Sequence, residues 1–301
     1  MLVLVVCLLA MLSFYESHHI SEWGVKRVAS ALKVIDQAKK DYSGNGTTSV
    51  SNLTTVFPRP ACFIEAGLFP QSSITFRGVE KIYVIHWSKL DGREAEMKAR
   101  LNRVLPSSWE EANLVSFVNA FDSDHLSQSQ ISCLTDNVTA HLTLGVLSVT
   151  AKHYLAYHDM LLRGYQNALI MEDDVDFRDH FGEKVEQLLK ELPRGWSNCF
   201  VSGCVASLEC RAEAGAFLKS PPGDGSNCAY GYLISAVGAK QMWDMLPVRT
   251  TPDFQMNLVS QKNPEFHTFM TCGILPVFER PIGEDGLWKV GSAAEKIQKK
   301  A

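Results

Sequence analysis

An apolar run that ends abruptly at three consecutive acids limits the folds open to this chain more than any other feature of its sequence. Ala168–Met171 contains only apolar residues, and Glu172, Asp173 and Asp174 follow without a break. A short apolar run of this kind is typical of a buried strand, while three neighbouring carboxylates repel one another unless a cation or water stabilises them. We therefore expect a buried strand with an acid run (Glu172–Asp174) at its carboxyl end, although a solvated acidic turn that caps the next helix would give the same residues.

Strand-like and helix-like segments alternate on both sides of this run. The strand-like segments are Lys81–His86, Asn113–Phe121, Cys199–Val201 and Cys228–Ser235. The helix-like segments are Arg93–Val104, Leu142–Gly164, Phe181–Leu192 and Val237–Met245. This alternation predicts a Rossmann-like α/β fold with a mixed, mostly parallel sheet and helices on both faces. Because ligands of such sheets bind beyond the carboxyl ends of the strands, the acid run is expected to lie at a binding site.

The amino-terminal segment differs from the rest of the chain. Residues 1–15 are almost wholly apolar and uncharged, which is short of the ~20 residues needed to cross a hydrocarbon core but suits a signal peptide or a short signal-anchor. Residues 16–57 have the pattern of a stem helix followed by a polar linker. We expect a globular domain over residues 58–290 and a disordered tail over residues 291–301. An uncleaved amino-terminal segment would attach the protein to a membrane.

Composition and short motifs favour the lumen of the secretory pathway. The formal net charge is -4, and Lys and Arg do not cluster outside the last few residues, so no nucleic-acid partner is expected. Three acceptor sequons, at Asn45, Asn52 and Asn137, and eight cysteines without a Cys-x-x-Cys pair are typical of a protein made in an oxidising compartment. The ending Lys299-Lys300-Ala301 differs from an endoplasmic reticulum retrieval signal, so Golgi residence, membrane-anchored or secreted, is expected.

Several sequence blocks occur in an order that a known family shares. The most specific blocks are Ala168–Val175, which contains the acid run, and Ala229–Ser235 with Gly238-Ala239-Lys240 after it. Weaker blocks are Tyr83–Arg93, Leu142–Gly145, Lys152-His153, Trp196–Gly203 and Thr251–Asp253. Together these blocks resemble glycosyltransferase family 25, which includes lipooligosaccharide and procollagen galactosyltransferases. The likeness extends from Lys81 to Pro281.

The resemblance implies a chemistry for the acid run. It implies a GT-A type fold, a UDP-sugar donor, Mn2+ or Mg2+, and inversion at the anomeric carbon. A hard cation held by oxygen ligands offsets the charge that develops on the departing nucleoside diphosphate. Glu172 and Asp174 are therefore the expected metal ligands, and Asp173 is expected to belong to the cofactor-binding set.

Three further residues occupy family positions, and each has two interpretations. Asp253 would be the base that takes the proton of the acceptor hydroxyl, but an Asp after Pro is also a common helix N-cap. His153 would contact a donor phosphate or the cation, or would be a satisfied core residue. Arg93 would bind the phosphates or the base of the donor, or would be a surface charge.

The chain also departs from the family pattern at three places. His86-Trp87 replaces Asn-Leu, Gly145–Val149 lacks the acid and the second glycine of Gly-Glu-x-Gly-Cys, and Lys152 replaces Ser. These departures affect the expected donor more than the fold, and they also fit a member without activity.

Two function hypotheses follow from the resemblance and the departures. The first is an inverting hexosyltransferase that moves galactose or glucose from a UDP-sugar to a hydroxyl of a glycan, glycoprotein or glycolipid. The second is an inactive binding or adhesion protein of the secretory pathway with the same fold. A hydrolase is disfavoured, because Glu172 and Asp174 are too close in sequence to flank a glycosidic bond from opposite sides.

Overall fold

The computed structural model describes residues 60–136, 142–201, 217–219, 228–271 and 276–279. All of them lie in the second of two compact units, Pro58–Ala301. The predictions for residues 1–15, 16–57 and 291–301, together with the three sequons, lie outside the described residues. Within the described part of the chain, every helix is too short or too polar to cross a bilayer.

Helices and strands alternate along most of the described chain. The helices are α1 (Ala61–Ala66), α2 (Asp91–Val104), α3 (Gln128–Leu134), α4 (Leu144–Arg163), α5 (Phe181–Glu191), α6 (Ala236–Trp243) and α7 (Pro252–Lys262). The strands are β1 (Lys81–Ile85), β2 (Val115–Val118), β3 (Asn167–Glu172), β4 (Val175–Phe177), β5 (Trp196–Phe200), β6 (Phe217–Lys219), β7 (Gly231–Ser235), β8 (His267–Thr271) and β9 (Val277–Glu279). Each segment predicted from the sequence overlaps an element of the same type.

The main sheet is mixed, and most of its strands share one direction. Its strand order is β2-β1-β3-β7-β5-β8-β6. β1 pairs in parallel with β2 and β3, and β5 pairs in parallel with β8. β7 runs antiparallel to its neighbours β3 and β5, and β6 runs antiparallel to β8. The predicted α/β fold with a mixed, mostly parallel sheet is confirmed, and a separate pair, β4 and β9, is antiparallel.

Alternate residues of β1 face opposite layers of helices. Ile82 and Val84 belong to a core cluster with residues of α2 and α5, whereas the hydroxyl of Tyr83 donates to Asp159 of α4 over 2.7 Å. All five residues of β1 are buried, as expected of a strand covered on both faces. The prediction of helices on both faces of the sheet is confirmed.

Helix α4 brings side chains to the edge of the sheet where the parallel strands end. The hydroxyl of Thr143 accepts from the backbone N–H of Val146 over 3.3 Å and caps the first turn. Gly164 ends the helix in the left-handed region, at φ 73. Between these ends, Lys152 Nζ reaches the backbone oxygen of His86, just beyond β1. The amino-terminal half of α4 therefore lies beside the carboxyl ends of the strands.

A disulfide fixes two short helices to each other. Cys62 of α1 and Cys133 of α3 are bonded, with a sequence separation of 71. Cys228 is also disulfide-bonded, whereas Cys199 is a free thiol buried in the core. The sequence supplies eight cysteines but does not show which of them pair.

We predict that Cys62→Ser lowers the free energy of unfolding by up to roughly 4 kcal/mol, because the unfolded chain regains the entropy that this long loop removes. Cys133→Ser and the double variant should lose the same amount, since each change removes the same cross-link. Equilibrium unfolding in urea measures the three values. Additive losses, or a single variant as stable as the wild type, would contradict the prediction.

Candidate functional site

The acid run lies at the carboxyl end of β3, where the backbone continues the sheet. The N–H of Glu172 donates to the carbonyl of Tyr230 over 3.0 Å, and the N–H of Asp173 donates to the carbonyl of Ile85 over 3.1 Å. Main-chain hydrogen bonds to the two neighbouring strands of the sheet, β1 and the residue before β7, therefore hold the first two acids. The predicted placement of the acid run at a strand end agrees with the structure.

Asp173, the middle acid, is the centre of a buried charged group. Its side chain is only 7% exposed. Oδ2 lies 2.7 Å from Nδ1 of His86, and Oδ1 lies 3.1 Å from the guanidinium of Arg93. Arg100 donates to the backbone oxygen of Asp173 over 2.7 Å. Both carboxylate oxygens thus have protein partners, which offsets the repulsion expected among three adjacent acids.

Glu172 and Asp174 differ from Asp173 in their exposure to solvent. Both are half-buried, whereas Asp173 between them is buried. Two carboxylates next to a strand end supply the hard oxygen ligands that Mn2+ and Mg2+ prefer. The carboxylate oxygens of Glu172 and Asp174 therefore fit the predicted cation, while the carboxylate of Asp173 is paired with His86 and Arg93.

Lys152 links the loops that follow β1 and β2. Its side chain is 3% exposed, as is that of Asp122, and Nζ contacts both Asp122 Oδ1 and the backbone oxygen of His86. Asp122 also accepts from the backbone N–H of Ser88 over 3.1 Å. Burial lowers the pKa of Lys152, against the raising effect of the Asp122 carboxylate. A buried ammonium with these partners fixes the strand ends on which the acid run also lies.

The structure places His153 in the core beneath the acid run. The residue is fully buried, and Nδ1 lies 2.7 Å from the hydroxyl of Tyr232, on which the ring also stacks. Burial lowers the pKa of His153 to about 3, so its imidazole is neutral at physiological pH. Nδ1 therefore has a partner in the core, whereas Nε2 is buried with no hydrogen-bond partner among the described residues. The predicted cofactor-binding role of His153 stays a prediction.

Burial and then the neighbouring Tyr157 raise the pKa of the Tyr232 hydroxyl well above its usual value. Glu172 raises it further by its charge, which places that carboxylate within electrostatic reach of Tyr232. The hydroxyl of Tyr157 completes the group, 2.6 Å from that of Tyr232. The hydrogen-bonded core side chains near Glu172, which are His153, Tyr157 and Tyr232, are thus neutral.

The other predicted site residues occupy different parts of the fold. Arg93, in the first turn of α2, joins the acid run through Asp173. Asp253 is buried in the first turn of α7, after Pro252 at its start. The hydroxyl of Thr150 on α4 donates to the carbonyl of Thr250 over 2.9 Å, so the entry to α7 lies beside the amino-terminal half of α4. None of the contacts of Asp173 given above involves Asp253.

Sequence reasoning missed the roles of three residues. His86 and Lys152 stood out only as departures from the family pattern, and Asp122 was not considered. Asp122, Asp124 and His125 bring ligand atoms within 4.8 Å of one another just beyond β2. The signal that could have found them is the one that marked the acid run, namely acids directly after a strand.

The comparisons with known proteins point to one family. Residues 79–205 match the model of "Glycosyltransferase family 25 (LPS biosynthesis protein)". This part of the chain is similar to glycosyltransferase family 25. It includes β1, α4, the acid run and β5, so the family match contains the acid run, whereas Asp253 lies outside it.

The relatives include proteins named galactosyltransferases and proteins named inactive. Inactive glycosyltransferase 25 family member 3 of Mus musculus is 26% identical over 132 residues, covering 41% of this chain and 21% of its own length. Procollagen galactosyltransferase 1 of Danio rerio is 24% identical, covering 50% of this chain and 27% of its own. Procollagen galactosyltransferase 2 of Homo sapiens is 24% identical, covering 57% and 29%. The chain therefore spans less than a third of the length of these relatives.

Solved structures give weaker likenesses. Mouse xyloside xylosyltransferase 1, apo form, matches with a TM-score of 0.36 and 8% identity, covering 66% of this chain and 95% of that chain. An active-site mutant of LgtC matches with a TM-score of 0.35 and 9% identity, covering 73% and 94%.

We predict that His153 makes the protein less stable in acid. Because its pKa is lowered from 6.5 to about 3 in the folded state, the unfolded chain binds more protons between these values, and the free energy of unfolding falls as the pH falls through this window. Between pH 6.5 and 4.5, His153→Gln should lose about 2 kcal/mol less than the wild type. Urea unfolding at a series of pH values measures the difference. Parallel pH profiles for the two proteins would show that His153 is not buried in its neutral form.

Proposed function

We propose that this protein is an inverting glycosyltransferase that transfers a hexose, galactose or glucose, from a UDP-sugar to a hydroxyl group of a glycan or glycoprotein. The observation that carries the proposal is the acid run at the end of β3, inside the segment that matches family 25. Its middle carboxylate is held in place by His86 and Arg93. A site arranged before the ligand arrives avoids part of the cost of ordering it on binding.

The flanking acids would hold the cation. Glu172 and Asp174 are half-buried oxygen donors at the strand end, and Mn2+ or Mg2+ bound there would neutralise the diphosphate of the donor. Arg93 extends from α2 to the same acid run and would contribute positive charge near the phosphates. The acid run would thereby serve as the donor side of the site.

Transfer with inversion needs a base on the acceptor side. In a single displacement, the acceptor oxygen forms the new bond to the anomeric carbon while the bond from that carbon to the diphosphate oxygen breaks, and its electron pair leaves with UDP. The acceptor proton goes to a carboxylate, for which Asp253 is the proposed residue. Its burial in the first turn of α7 fixes the position of that carboxylate.

A second candidate function is a binding protein with the same fold and no turnover. Two observations favour it. His86 and Lys152, which depart from the family pattern, pair with the buried carboxylates of Asp173 and Asp122, and one of the relatives is named inactive. In this alternative, the salt bridges at Asp173 stabilise the fold and no cation is bound.

We also propose that the protein works in the lumen of the secretory pathway, with the Golgi preferred. The Cys62–Cys133 disulfide supports this proposal, because disulfides persist in oxidising compartments and are rare in the cytosol. Membrane attachment would depend on residues 1–15 and belongs to the same proposal.

We predict that Mn2+ together with a UDP-hexose raises the free energy of unfolding by about 2.7 kcal/mol at a hundred times the dissociation constant, by mass action. Asp174→Asn should abolish this protection and the hydrolysis of the UDP-hexose, and EDTA should do the same to the wild type. Thermal unfolding and a UDP-release assay over a panel of UDP-sugars measure the two effects.

Asp176→Asn is the matched control for this experiment. Asp176 lies two residues beyond Asp174, and its carboxylate pairs with Arg103 at the surface, 2.9 Å away. Its loss should leave the protection intact. Equal protection of the wild type and Asp174→Asn would reject the enzymatic proposal and favour the binding protein.

We predict that Asp253→Asn lowers kcat by roughly a hundredfold or more, as expected when a general base is removed. Protection by Mn2+ and the UDP-hexose should be unchanged, because the acid run is intact. A purely structural role would instead lower the stability by up to about 1 kcal/mol, through the lost charge at the helix start, with kcat nearly unchanged. Single-turnover transfer and urea unfolding separate the two roles.

A further inference from the structure

A cavity lies beyond the end of β2, at the edge of the sheet where the acid run also lies. Its volume is about 260 Å³, and its walls are the loop of residues 119–125 with the facing ends of α1 and α3. We call it the β2-end pocket. Pockets for drug-sized ligands begin at about 300 Å³, so this volume suits a single small ring. The Cys62–Cys133 disulfide holds its α1 and α3 walls together.

The lining of the β2-end pocket offers both hydrogen-bond donors and acceptors. Its polar residues are Glu65, Asn119, Asp122, His125 and Gln130, and the ring of Phe121 supplies an apolar part. Carboxylates only accept, whereas amides and imidazole both donate and accept. Sugar hydroxyls likewise do both, and a pyranose ring adds an apolar C–H face. The mixture therefore suits a neutral carbohydrate better than an apolar ligand.

The charge balance of the pocket disfavours a cation as its ligand. Asp122 is paired with the buried ammonium of Lys152, and Asp124 lies 2.6 Å from Nζ of Lys89. A metal ion at Asp122, Asp124 and His125 would have to displace or approach these ammonium groups. A neutral ligand needs no such displacement.

An exposed indole is hydrogen-bonded to the loop that lines the pocket. Trp87 directly follows His86, the partner of Asp173, and is 39% exposed. Its Nε1–H donates to Asp124 Oδ1 over 3.0 Å, and Lys89 Nζ lies 5.9 Å from the ring centroid. These contacts hold an aromatic surface in place beside that loop, and the negative face of such a ring attracts the C–H groups of a sugar.

The backbone of the pocket is also unusual at Phe121. This residue has φ 63, a left-handed conformation that costs free energy for a bulky side chain. Its ring packs edge-on against Phe63 of α1 at a centroid distance of 5.3 Å. Strained positions of this kind persist where the surroundings enforce them, and they are frequent at ligand sites.

We propose that the β2-end pocket binds a neutral pyranoside, the acceptor sugar onto which the hexose is transferred. The proposal rests on the proposed function in naming the ligand an acceptor. Asp122 of the pocket reaches the acid run through Lys152 and His86, so donor and acceptor sites share one supporting group. Trp87 and the pocket then set which glycans are acceptors.

Binding of simple sugars without donor or metal tests the proposal. The probes are methyl β-galactopyranoside and methyl β-glucopyranoside, followed by saturation-transfer NMR on the whole protein. We expect binding in the millimolar range, weakened about fivefold by Asn119→Ala, which removes one hydrogen-bonding side chain. Trp87→Ala should weaken it by at least as much.

The matched control is Gln187→Ala, which removes an exposed amide on α5, where it bonds to Glu191 and does not line the pocket. It should leave sugar binding unchanged. No saturation transfer to either sugar, or binding that Asn119→Ala and Trp87→Ala both leave intact, would overturn the proposal. So would Mn2+ binding lost in His125→Ala, which would make the pocket a cation site.

Protection by Mn2+ and a UDP-hexose is measured on the same variants. The pocket variants should keep it, because the acid run is unchanged. Sugar binding without that protection would sustain the pocket and reject the transferase, whereas protection without sugar binding would do the opposite. The two proposals therefore fail separately.

Discussion

The site depends on the neutralisation of one buried carboxylate. Asp173 is paired on one oxygen with His86 and on the other with Arg93, and its backbone oxygen accepts from Arg100. Removing one partner of a buried ion pair typically costs about 3 to 5 kcal/mol, since the remaining charge is left in a poorly solvating environment. Three acids can therefore follow each other at the end of β3 because the middle one is compensated by α2 and by the loop after β1. The two flanking acids remain half-buried at the edge of the sheet.

Lys152 compensates a second buried carboxylate, that of Asp122 after β2, and links it to the end of β1. Its ammonium bridges the carbonyl of His86 and the carboxylate of Asp122, so the loops after β1 and β2 are fixed from α4 behind them. The sequence places Lys152 in the long helix next to His153, yet the two residues have different roles. Lys152 supports the strand ends, whereas His153 lies deeper and bonds to Tyr232.

The local pattern of the sequence predicted much of the fold. The apolar run before the acid run became β3, the β-branched run at Lys81 became β1, and the long helix-like segment Leu142–Gly164 became α4. The order in which the strands pair was harder to predict from the sequence. β7 lies antiparallel between β3 and β5, and these pairings join segments far apart in the chain. Short elements such as α1 and α3 carry too few residues for a periodic signal.

The site, like the fold, was predictable where it depends on neighbouring residues and not where it depends on residues far apart in the sequence. The acid run was predicted at a strand end and is there, since its position follows from a few neighbouring residues. The pairing of His86 with Asp173 spans 87 residues in sequence, and that of Lys152 with Asp122 spans 30. Neither pairing leaves a mark in the surrounding residues, so a departure from a family pattern was the only visible sign of them. The metal, cofactor and base roles of the predicted residues remain proposals.

The Cys62–Cys133 bond affects the folding of the β2-end pocket but not that of the acid run. The acid run is assembled from β1, β3 and α2, none of which carries a bonded cysteine, so it can form as soon as the sheet does. The helices that wall the neighbouring pocket are tied by sulfur chemistry. A chain that folded without an oxidant would thus form the charged group around Asp173 without the covalent link between the two helices, so oxidative folding would affect the pocket rather than the acid run.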